Sequence, residues 1–255
     1  MTSIKQNIHQ ITLQIENSIQ KCGRSPDSVQ LLAVSKTKPI ELLEQAIESG
    51  QHSFGENYVQ EGVDKVHYFQ KNHSNIELEW HFIGPIQSNK TRPIAEHFDW
   101  VHSIDRLKIA QRLNEQRPSD LGELNVLIQV NISSEDSKSG TTANEVMSLA
   151  AAIHAMPNLT LRGLMSIPAN VSNYEEQLAA FKQLASIQNQ LEAQYPQVDT
   201  LSMGMSGDID AAIEAGSTMV RIGTAIFGAR NYTNEVIIHS KRLLKIKNRN
   251  TNGTS

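Results

Sequence analysis

The chain has 255 residues, a formal net charge of −4 and a single cysteine, Cys22. This length suits one large α/β domain, and a lone cysteine excludes an internal disulfide and indicates a reducing compartment, so we expect a cytoplasmic protein. The near balance of charges and the lack of a run of about 18 apolar residues argue against a nucleic-acid-binding or membrane protein. No basic segment followed by an apolar one opens the chain, so we expect no secretory signal.

The first predicted element is an amphipathic helix. Its apolar stripe consists of isoleucines at spacings of three and four: Ile4, Ile8, Ile11, Ile15 and Ile19. The helix is predicted to end near Cys22, because Gly23 and the turn residues Ser25 and Pro26 follow. We assign residues 1–24 to this helix, packed on the rest of the domain.

Eight short apolar segments follow, each before a helical pattern. The predicted strands are residues 30–35, 52–55, 79–84, 100–104, 124–131, 159–165, 200–203 and 219–222. Helices are predicted after Pro39, over 88–97, 105–116 and 174–193, and up to Ala215. Two more have capping signals: Asn57 with Gln60, and Thr142 with Glu145.

The strands are continuously apolar, which is typical of parallel strands that are covered on both faces. Eight strand–helix units in this length predict a closed (β/α)8 TIM barrel, although an open doubly wound sheet would show the same alternation. We assign residues 25–240 to one barrel domain. Residues 241–255 end in the polar run KNRNTNGTS and are expected to form a disordered tail.

Lys36 directly follows the first predicted strand, at the end of a barrel where functional groups concentrate. Because side chains alternate along a strand, Leu32, Val34 and Lys36 share one face. If that face lines the barrel, loss of water favours the neutral amine, which can attack a carbonyl carbon to form a Schiff base. The alternative is a strand-end lysine in solvent, since Lys38 has a similar position.

Two segments near the end of the chain have features of anion sites. Ser206 and Gly207 are predicted to begin a short helix, whose free N–H groups and dipole favour an anion, although Ser206 also suits an ordinary N-cap. Gly223 and Thr224 follow the eighth strand, where glycine permits close backbone approach and the hydroxyl adds a donor. Phosphate commonly binds after the seventh and eighth strands of such barrels.

Arg221 is unusual because it lies inside an apolar strand, on the same face as Met219 and Gly223. Arginine is rarely buried without a partner. We therefore expect it either to pair with an interior carboxylate or to donate to a bound ligand.

Motifs of several other protein classes are incomplete. GTAIFGAR has two glycines at Walker spacing but lacks the lysine that must follow. GMSGD lacks the last glycine of a nucleophile elbow. The nine histidines show no paired ligand spacing, so we expect no metal site.

Six segments carry a resemblance to a known family. They are AVSKTKP, FGENYVQE, WHFIGPIQSNK, VHSID, RGLMSIP and MGMSGDIDAAIEAGSTMVRIGTAIFG. In this order, from about residue 30 to residue 230, they resemble the pyridoxal phosphate homeostasis protein family, whose barrel is similar to the N-terminal domain of alanine racemase. Agreement over most of the chain is far more specific than a single lysine.

The resemblance implies that the cofactor is pyridoxal 5′-phosphate (PLP), held as a Schiff base on Lys36. It also implies the remaining contacts: Asn57 facing the ring, Ser206, Gly223 and Thr224 at the phosphate, and Arg221 near the pyridine nitrogen. A guanidinium at that nitrogen disfavours its protonation, so the ring would be a poor electron sink, better suited to holding the cofactor than to catalysis.

The function implied is a non-catalytic PLP carrier in intracellular PLP homeostasis, with apo PLP-dependent enzymes as acceptors. Lys38 or Lys138 is a candidate second amine for release. Alanine racemase has a second domain that supplies the opposite base, and we expect no room for it here, which favours a monomer without catalytic residues. The alternatives are an amino-acid racemase or related enzyme with Lys36 as base, and a Schiff-base aldolase without cofactor.

Overall fold

The strands of the computed structural model form a closed parallel barrel in chain order, and β1 closes it by pairing with β8. The structure describes residues 3–133, 139–168 and 171–229. The predicted tail, residues 241–255, and the end of the predicted barrel domain, residues 230–240, lie outside the described residues. The predicted TIM barrel with an added N-terminal helix is confirmed.

The eight strands are short and almost wholly buried. They are β1 (Gln30–Val34), β2 (Ser53–Glu56), β3 (Glu79–Phe82), β4 (Trp100–Ile104), β5 (Leu124–Gln129), β6 (Leu159–Met165), β7 (Thr200–Ser202) and β8 (Met219–Ile222). Three of them have the predicted bounds, four end one or two residues earlier than predicted, and β2 is shifted by one residue at both ends.

Helices cover the outside of the barrel. They are α1 (Ile4–Lys21), α2 (Ile40–Glu48), α3 (Val59–Asn72), α4 (Thr91–His97), α5 (Leu107–Gln116), α6 (Val146–His154), α7 (Tyr174–Gln194), α8 (Ile209–Glu214) and α9 (Thr224–Phe227). The capping box of Thr142 and Glu145 is present and opens a short 3-10 turn before α6. Among the described residues, no helix has both the length and the apolarity needed to cross a membrane.

The predicted capping pair of Asn57 and Gln60 is wrong. Tyr58 is the N-cap of α3 and makes no side-chain capping bond, while the Gln60 amide donates to Asp64 at 2.8 Å. Asn57 belongs instead to the loop that leaves β2, where its backbone lies against Gly84. A Cβ on Gly84 would lie 2.2 Å from the Asn57 carbonyl oxygen, so only glycine permits this approach.

The helix α1 packs across α8 and α9. Its five predicted isoleucines are all buried, each worth about 1.5–3 kcal/mol of transfer free energy. Asn7 donates to the Ile226 carbonyl at 2.7 Å, and Ser18 donates to Asp210 at 2.5 Å. The N-terminal helix therefore supports the two elements that follow β7 and β8.

The barrel separates two apolar layers. Ala33 belongs to the large core between strands and helices, whereas Leu32 and Val34 cluster with Ile83 and Met219. Alternate residues of β1 thus face opposite sides, as the period of a strand requires. The predicted shared face of Leu32 and Val34 is the barrel interior.

Candidate functional site

Lys36 lies two residues beyond the end of β1, in a turn, and is half-buried. By the alternation of side chains along a strand, its position follows Leu32 and Val34 on the face that lines the barrel interior. Gly223 lies beside this point, since a Cβ there would sit 3.2 Å from the Val34 carbonyl oxygen and 3.4 Å from its Cβ. The lysine segment and the end of β8 therefore meet at the same edge of the barrel.

A buried ion cluster, formed by Glu56, Glu61 and Lys65, holds the backbone that carries Lys36. The Lys65 ammonium lies 2.8 Å from Glu56 Oε1 and 2.6 Å from Glu61 Oε1, and it donates to the Ser35 carbonyl at 2.7 Å. Glu56 has no exposed surface and Lys65 is 5 % exposed. The residue before Lys36 is thus fixed by a cation from α3.

The residue after Lys36 is fixed by the same cluster. The Thr37 N–H donates to Glu61 at 2.6 Å, and the Ser35 hydroxyl donates to Glu56 at 2.6 Å. Thr37 has φ of +61°, a left-handed conformation that costs a β-branched residue about 1–3 kcal/mol and persists only where its surroundings enforce it. Burial raises the pKa of Glu56, an effect that the nearby Lys65 charge opposes.

Asn57 places a polar atom at the neighbouring strand end. Its Oδ1 is buried, and within the part of the chain that the structure describes no group hydrogen-bonds to it. Its backbone is held against Gly84, whose carbonyl accepts from Ser103 at 2.6 Å. Buried polar atoms are normally paired, so an unpaired amide oxygen here fits a site built for a ligand.

Ser206 lies in the exposed turn after β7 and is not the helix N-cap that the sequence suggested. The helix α8 begins at Ile209 with Asp208 as its N-cap, and the Asp208 carboxylate makes no capping bond but accepts the Met205 N–H at 2.5 Å. Burial raises the pKa of Asp208, which this bond and the charge of Arg221 oppose. Across the described ranges, the N–H groups of Ser206 and Gly207 donate to no protein group.

Gly223 and Thr224 occupy the predicted place directly after β8. Gly223 is the N-cap of α9 and Thr224 its first residue, so the first N–H groups of this short turn have no intrahelical acceptor. The Arg221 N–H donates to the Gly204 carbonyl at 2.9 Å, which joins the end of β7 to β8. The two segments predicted to bind an anion therefore leave adjacent strands.

Arg221 is 5 % exposed, and the bonds of its guanidinium within the described residues go to uncharged groups, so of the two expected alternatives an ion pair with an interior carboxylate is not found. Its Nη1 donates to Ser202 Oγ at 2.7 Å and its Nη2 to the Ser166 carbonyl at 2.9 Å. Burial lowers the pKa of Arg221 to about 10, partly opposed by Asp208. The guanidinium remains charged at neutral pH and can only donate.

A second polar atom beside Arg221 lacks a partner. Ser166 has no exposed surface, and its Oγ meets no hydrogen-bonding group within the described ranges, although its carbonyl accepts from Arg221. Together with Asn57 Oδ1, this hydroxyl fits a site whose polar requirements are completed by a bound molecule.

Lys38 is tied to the end of α9. Its ammonium donates to the carbonyls of Phe227, Gly228 and Ala229 at 3.3, 2.8 and 3.0 Å. These bonds connect the lysine loop to the far end of the chain, so Lys38 has a structural role that sequence reasoning missed. Lys138, the other candidate for release, lies outside the described residues.

Sequence reasoning also missed the polar filling of the barrel interior. His81 and His102 are fully buried and hydrogen-bonded to each other at 2.8 Å, and they connect Glu79 to Ser202 and so to Arg221. The available signal was a histidine at the third position of two consecutive apolar strands, β3 and β4.

The geometry defines a (β/α)8 barrel with a polar site at the carboxyl ends of β1, β2, β7 and β8. Residues 7–231 match the family described as "Alanine racemase, N-terminal domain". A "Pyridoxal phosphate homeostasis protein" of Vibrio alginolyticus is 68 % identical over 91 % of this chain and 100 % of its own length. The chain belongs to the pyridoxal phosphate homeostasis proteins, within the alanine racemase N-terminal domain family.

Solved structures show the same fold. PipY of Synechococcus elongatus, determined with PLP bound, is 34 % identical and has a TM-score of 0.72 over 84 % of this chain and 100 % of its own. Alanine racemase from Corynebacterium glutamicum is 18 % identical, with a TM-score of 0.60 over 86 % of this chain and 60 % of its own. The racemase likeness concerns the fold alone.

Proposed function

We propose that this chain binds PLP, holds it through a Schiff base on Lys36, and serves PLP homeostasis without turnover. The observation that carries the proposal is the meeting of Lys36, the unpaired amide oxygen of Asn57 and the buried guanidinium of Arg221 at one edge of the barrel. The names of the relatives and the PLP-bound PipY structure support the same cofactor.

PLP supplies an aldehyde, a phosphate and a pyridine nitrogen, and this site has a group suited to each. With PLP bound, the Lys36 amine would add to the aldehyde carbon with loss of one water molecule. Ser206, Gly223 and Thr224 are proposed to hold the phosphate, which the unpaired N–H groups after β7 and at the start of α9 support. Asn57 is proposed to face the ring.

Arg221 is proposed to donate to the pyridine nitrogen. Its pKa of about 10 keeps it charged at neutral pH, and a guanidinium has no acceptor atom. A ring nitrogen that accepts from Arg221 stays unprotonated, and an unprotonated ring withdraws electrons poorly. This electronic effect favours storing the cofactor over stabilising a carbanion on it.

A PLP titration tests the proposal. The wild-type protein should gain visible absorbance with PLP, and Lys36→Ala should not. Lys38→Ala is the matched control, because it removes an amine two residues away that is bonded to the end of α9, and it should keep the visible band. A visible band in Lys36→Ala equal to that of the wild type would contradict the proposal. A wild-type protein that binds no PLP but still forms a Schiff base with another carbonyl compound at Lys36 would favour the aldolase alternative.

The racemase alternative is supported only by the shared fold. It predicts exchange of the substrate Cα hydrogen with solvent deuterium at a rate proportional to protein concentration. We expect no such exchange with common amino acids. Exchange that scales with the wild type and disappears in Lys36→Ala would establish an enzyme instead.

The proposed partners besides PLP are apo PLP-dependent enzymes, and we propose a monomeric carrier. If Lys138 accepts the aldehyde during release, Lys138→Ala should slow transfer to an apo-enzyme. Equal transfer rates for the wild type and this variant would show that Lys138 does not accept the aldehyde. Sedimentation measures the oligomeric state separately.

A further inference from the structure

A chain of hydrogen bonds crosses the barrel interior from the amino end of β3 to the carboxyl end of β8. Glu79 Oε1 lies 2.7 Å from His81 Nε2, and His81 Nδ1 lies 2.8 Å from His102 Nε2. His102 Nδ1 lies 3.0 Å from Ser202 Oγ, which accepts from Arg221 at 2.7 Å. A carboxylate is thereby linked to the guanidinium through three intermediate residues.

The middle of this chain is sealed from water. His81, His102 and Ser202 have no exposed surface, and the His81 ring stacks on Trp100 at 5.3 Å between centroids. Glu79 is the end that reaches solvent, with its side chain 40 % exposed. It lines a cavity of about 770 Å³ at the amino end of the barrel, opposite the proposed PLP site.

The direction of the bonds is set from both ends of the chain. A carboxylate only accepts, so His81 carries a hydrogen on Nε2 and donates to Glu79. With Nδ1 of His81 as an acceptor, His102 carries its hydrogen on Nε2 and donates to His81. At the other end Ser202 Oγ accepts from Arg221, which only donates, and the Ser202 hydroxyl hydrogen is left to donate to His102 Nδ1.

The environment agrees with this arrangement. Burial, with the charge of Arg221, lowers the pKa of His102 well below the ordinary value, so this ring is neutral. Partial burial raises the pKa of Glu79, but the hydrogen bond from His81 outweighs this effect and leaves the pKa at about 2. The chain thus has a cation at one end, an anion at the other, and consistent donors and acceptors between them, an arrangement in which hydrogen bonds reinforce one another.

We propose that Glu79 and His102 are positioning residues for Arg221: the carboxylate fixes the tautomers of both histidines, and His102 fixes the Ser202 hydroxyl as an acceptor for the guanidinium. This inference deepens the proposed function, because it takes Arg221 as the contact to the PLP ring. It assigns a role at the cofactor site to a carboxylate at the opposite end of the barrel.

The first test is NMR of histidine and arginine side chains in the PLP-free protein. Nitrogen shifts at neutral pH should show hydrogen on Nε2 of both His81 and His102, with His102 as a neutral ring. Arg221 should show separate Nη signals, because two fixed bonds slow rotation of its guanidinium. Hydrogen on Nδ1 of His102, or a freely rotating Arg221 guanidinium, would overturn the inference.

The second test compares two variants of one residue. His102→Gln keeps an acceptor for Ser202 and a donor for His81, whereas His102→Leu keeps neither. His102→Leu should merge the Arg221 Nη signals and weaken PLP binding about tenfold, and His102→Gln should restore much of both. Equal losses of PLP binding and of separate Arg221 Nη signals in the two variants, or no loss in either, would show that His102 does not position Arg221.

The third test uses the distant carboxylate. Glu79→Gln should weaken PLP binding about threefold and move the visible band, since a neutral amide holds the His81 hydrogen less firmly. Glu77→Gln is the matched control, because Glu77 lines the same cavity and, within the described ranges, accepts a bond at its carbonyl, from His52, and none at its carboxylate. An effect of Glu77→Gln equal to that of Glu79→Gln would overturn the positioning role.

Failure of the inference and failure of the proposed function are distinguishable. If wild-type protein binds no PLP but shows the expected tautomers and an Arg221 guanidinium loosened by His102→Leu, the chain positions Arg221 and the PLP assignment is wrong. If the wild type binds PLP through Lys36 while these signals are absent, the positioning role is wrong and the PLP assignment stands.

Discussion

The site has a lysine side and an arginine side, which hold their charged residues in different ways. On the lysine side (residues 35–38 with Glu56, Glu61 and Lys65), charged side chains that contact one another hydrogen-bond to the backbone before and after Lys36. On the arginine side (Ser166, Ser202 and Arg221), the guanidinium itself is held, and its partners are a hydroxyl and a carbonyl. The difference teaches that one site can hold one charged residue through its backbone and another through its side chain.

The two arrangements differ in what their loss should cost. Removing one member of a buried ion cluster leaves an uncompensated charge, which lowers the free energy of unfolding strongly. Removing a hydroxyl from a hydrogen-bonded chain leaves unpaired donors or acceptors, which lowers the free energy of unfolding less. Variants on the two sides should therefore lose different amounts of stability.

Lys65→Met should cause the largest loss. It leaves the fully buried Glu56 without its cation and releases the Ser35 carbonyl, so the free energy of unfolding should fall by roughly 3–5 kcal/mol in urea titrations. Lys71→Met, at an exposed position of the same helix, should change it by less than about 0.5 kcal/mol. A small effect of Lys65→Met would show that the lysine side does not depend on its ions.

Gly84→Ala should come next. The new Cβ would meet the Asn57 carbonyl oxygen, so the loop after β2 must shift, and we expect a loss of about 1–3 kcal/mol together with weaker PLP binding. Gly207→Ala, where an added Cβ meets nothing within 4 Å, provides the stability control. If both variants unfold at the same urea concentration, the close approach of Asn57 to Gly84 is not a constraint.

Ser202→Ala should cost about 1–3 kcal/mol, because Arg221 Nη1 and His102 Nδ1 both lose a buried partner. Ser166→Ala is matched to it, since Arg221 contacts the Ser166 carbonyl and not its hydroxyl. Calorimetry of the PLP-free proteins should show a lower melting temperature for Ser202→Ala only. A lower melting temperature for Ser166→Ala than for Ser202→Ala would mean that the hydrogen bonds of the Ser202 hydroxyl do not support the arginine side.

The smallest expected effect is a change in the free energy of unfolding at acidic pH. The pKa of Glu79 is lowered to about 2 in the folded protein from an ordinary value of 4.5, so its ionised form is favoured by folding. This stabilisation is complete above pH 4.5 and is lost as the pH falls from there toward 2. The stability gap between wild type and Glu79→Gln should therefore narrow over that window. A gap that is constant from pH 6 to pH 3 would contradict the role of Glu79 as an ionised anchor.

The fold was largely predictable because its signals are local. Continuous apolar strands and the isoleucine stripe of α1 depend only on nearby residues, and glycine after β8 marks a strand end. The errors at Asn57 and Ser206 are also instructive. Both residues have N-cap chemistry, yet Asn57 is displaced by contact with Gly84, and Asp208 takes the capping place two residues after Ser206.

The supporting contacts were not predictable, because barrel closure creates them. Lys65 reaches Ser35 from α3, and the His81 chain joins β3 and β4 to β7 and β8 across the interior. Lys38 bonds to Gly228, 190 positions away in the chain. Nothing in the spacing of these residues indicates such partners until the first and eighth strands are paired.

The most direct measurement of the central claim is borohydride reduction of the PLP-loaded protein, followed by peptide mass mapping. Reduction of a Schiff base leaves the pyridoxyl phosphate attached to the lysine that held it. We predict the added mass on the peptide that contains Lys36, at that residue, and none there in Lys36→Ala. Added mass confined to Lys38, Lys138 or other lysines, with Lys36 unmodified, would contradict the account.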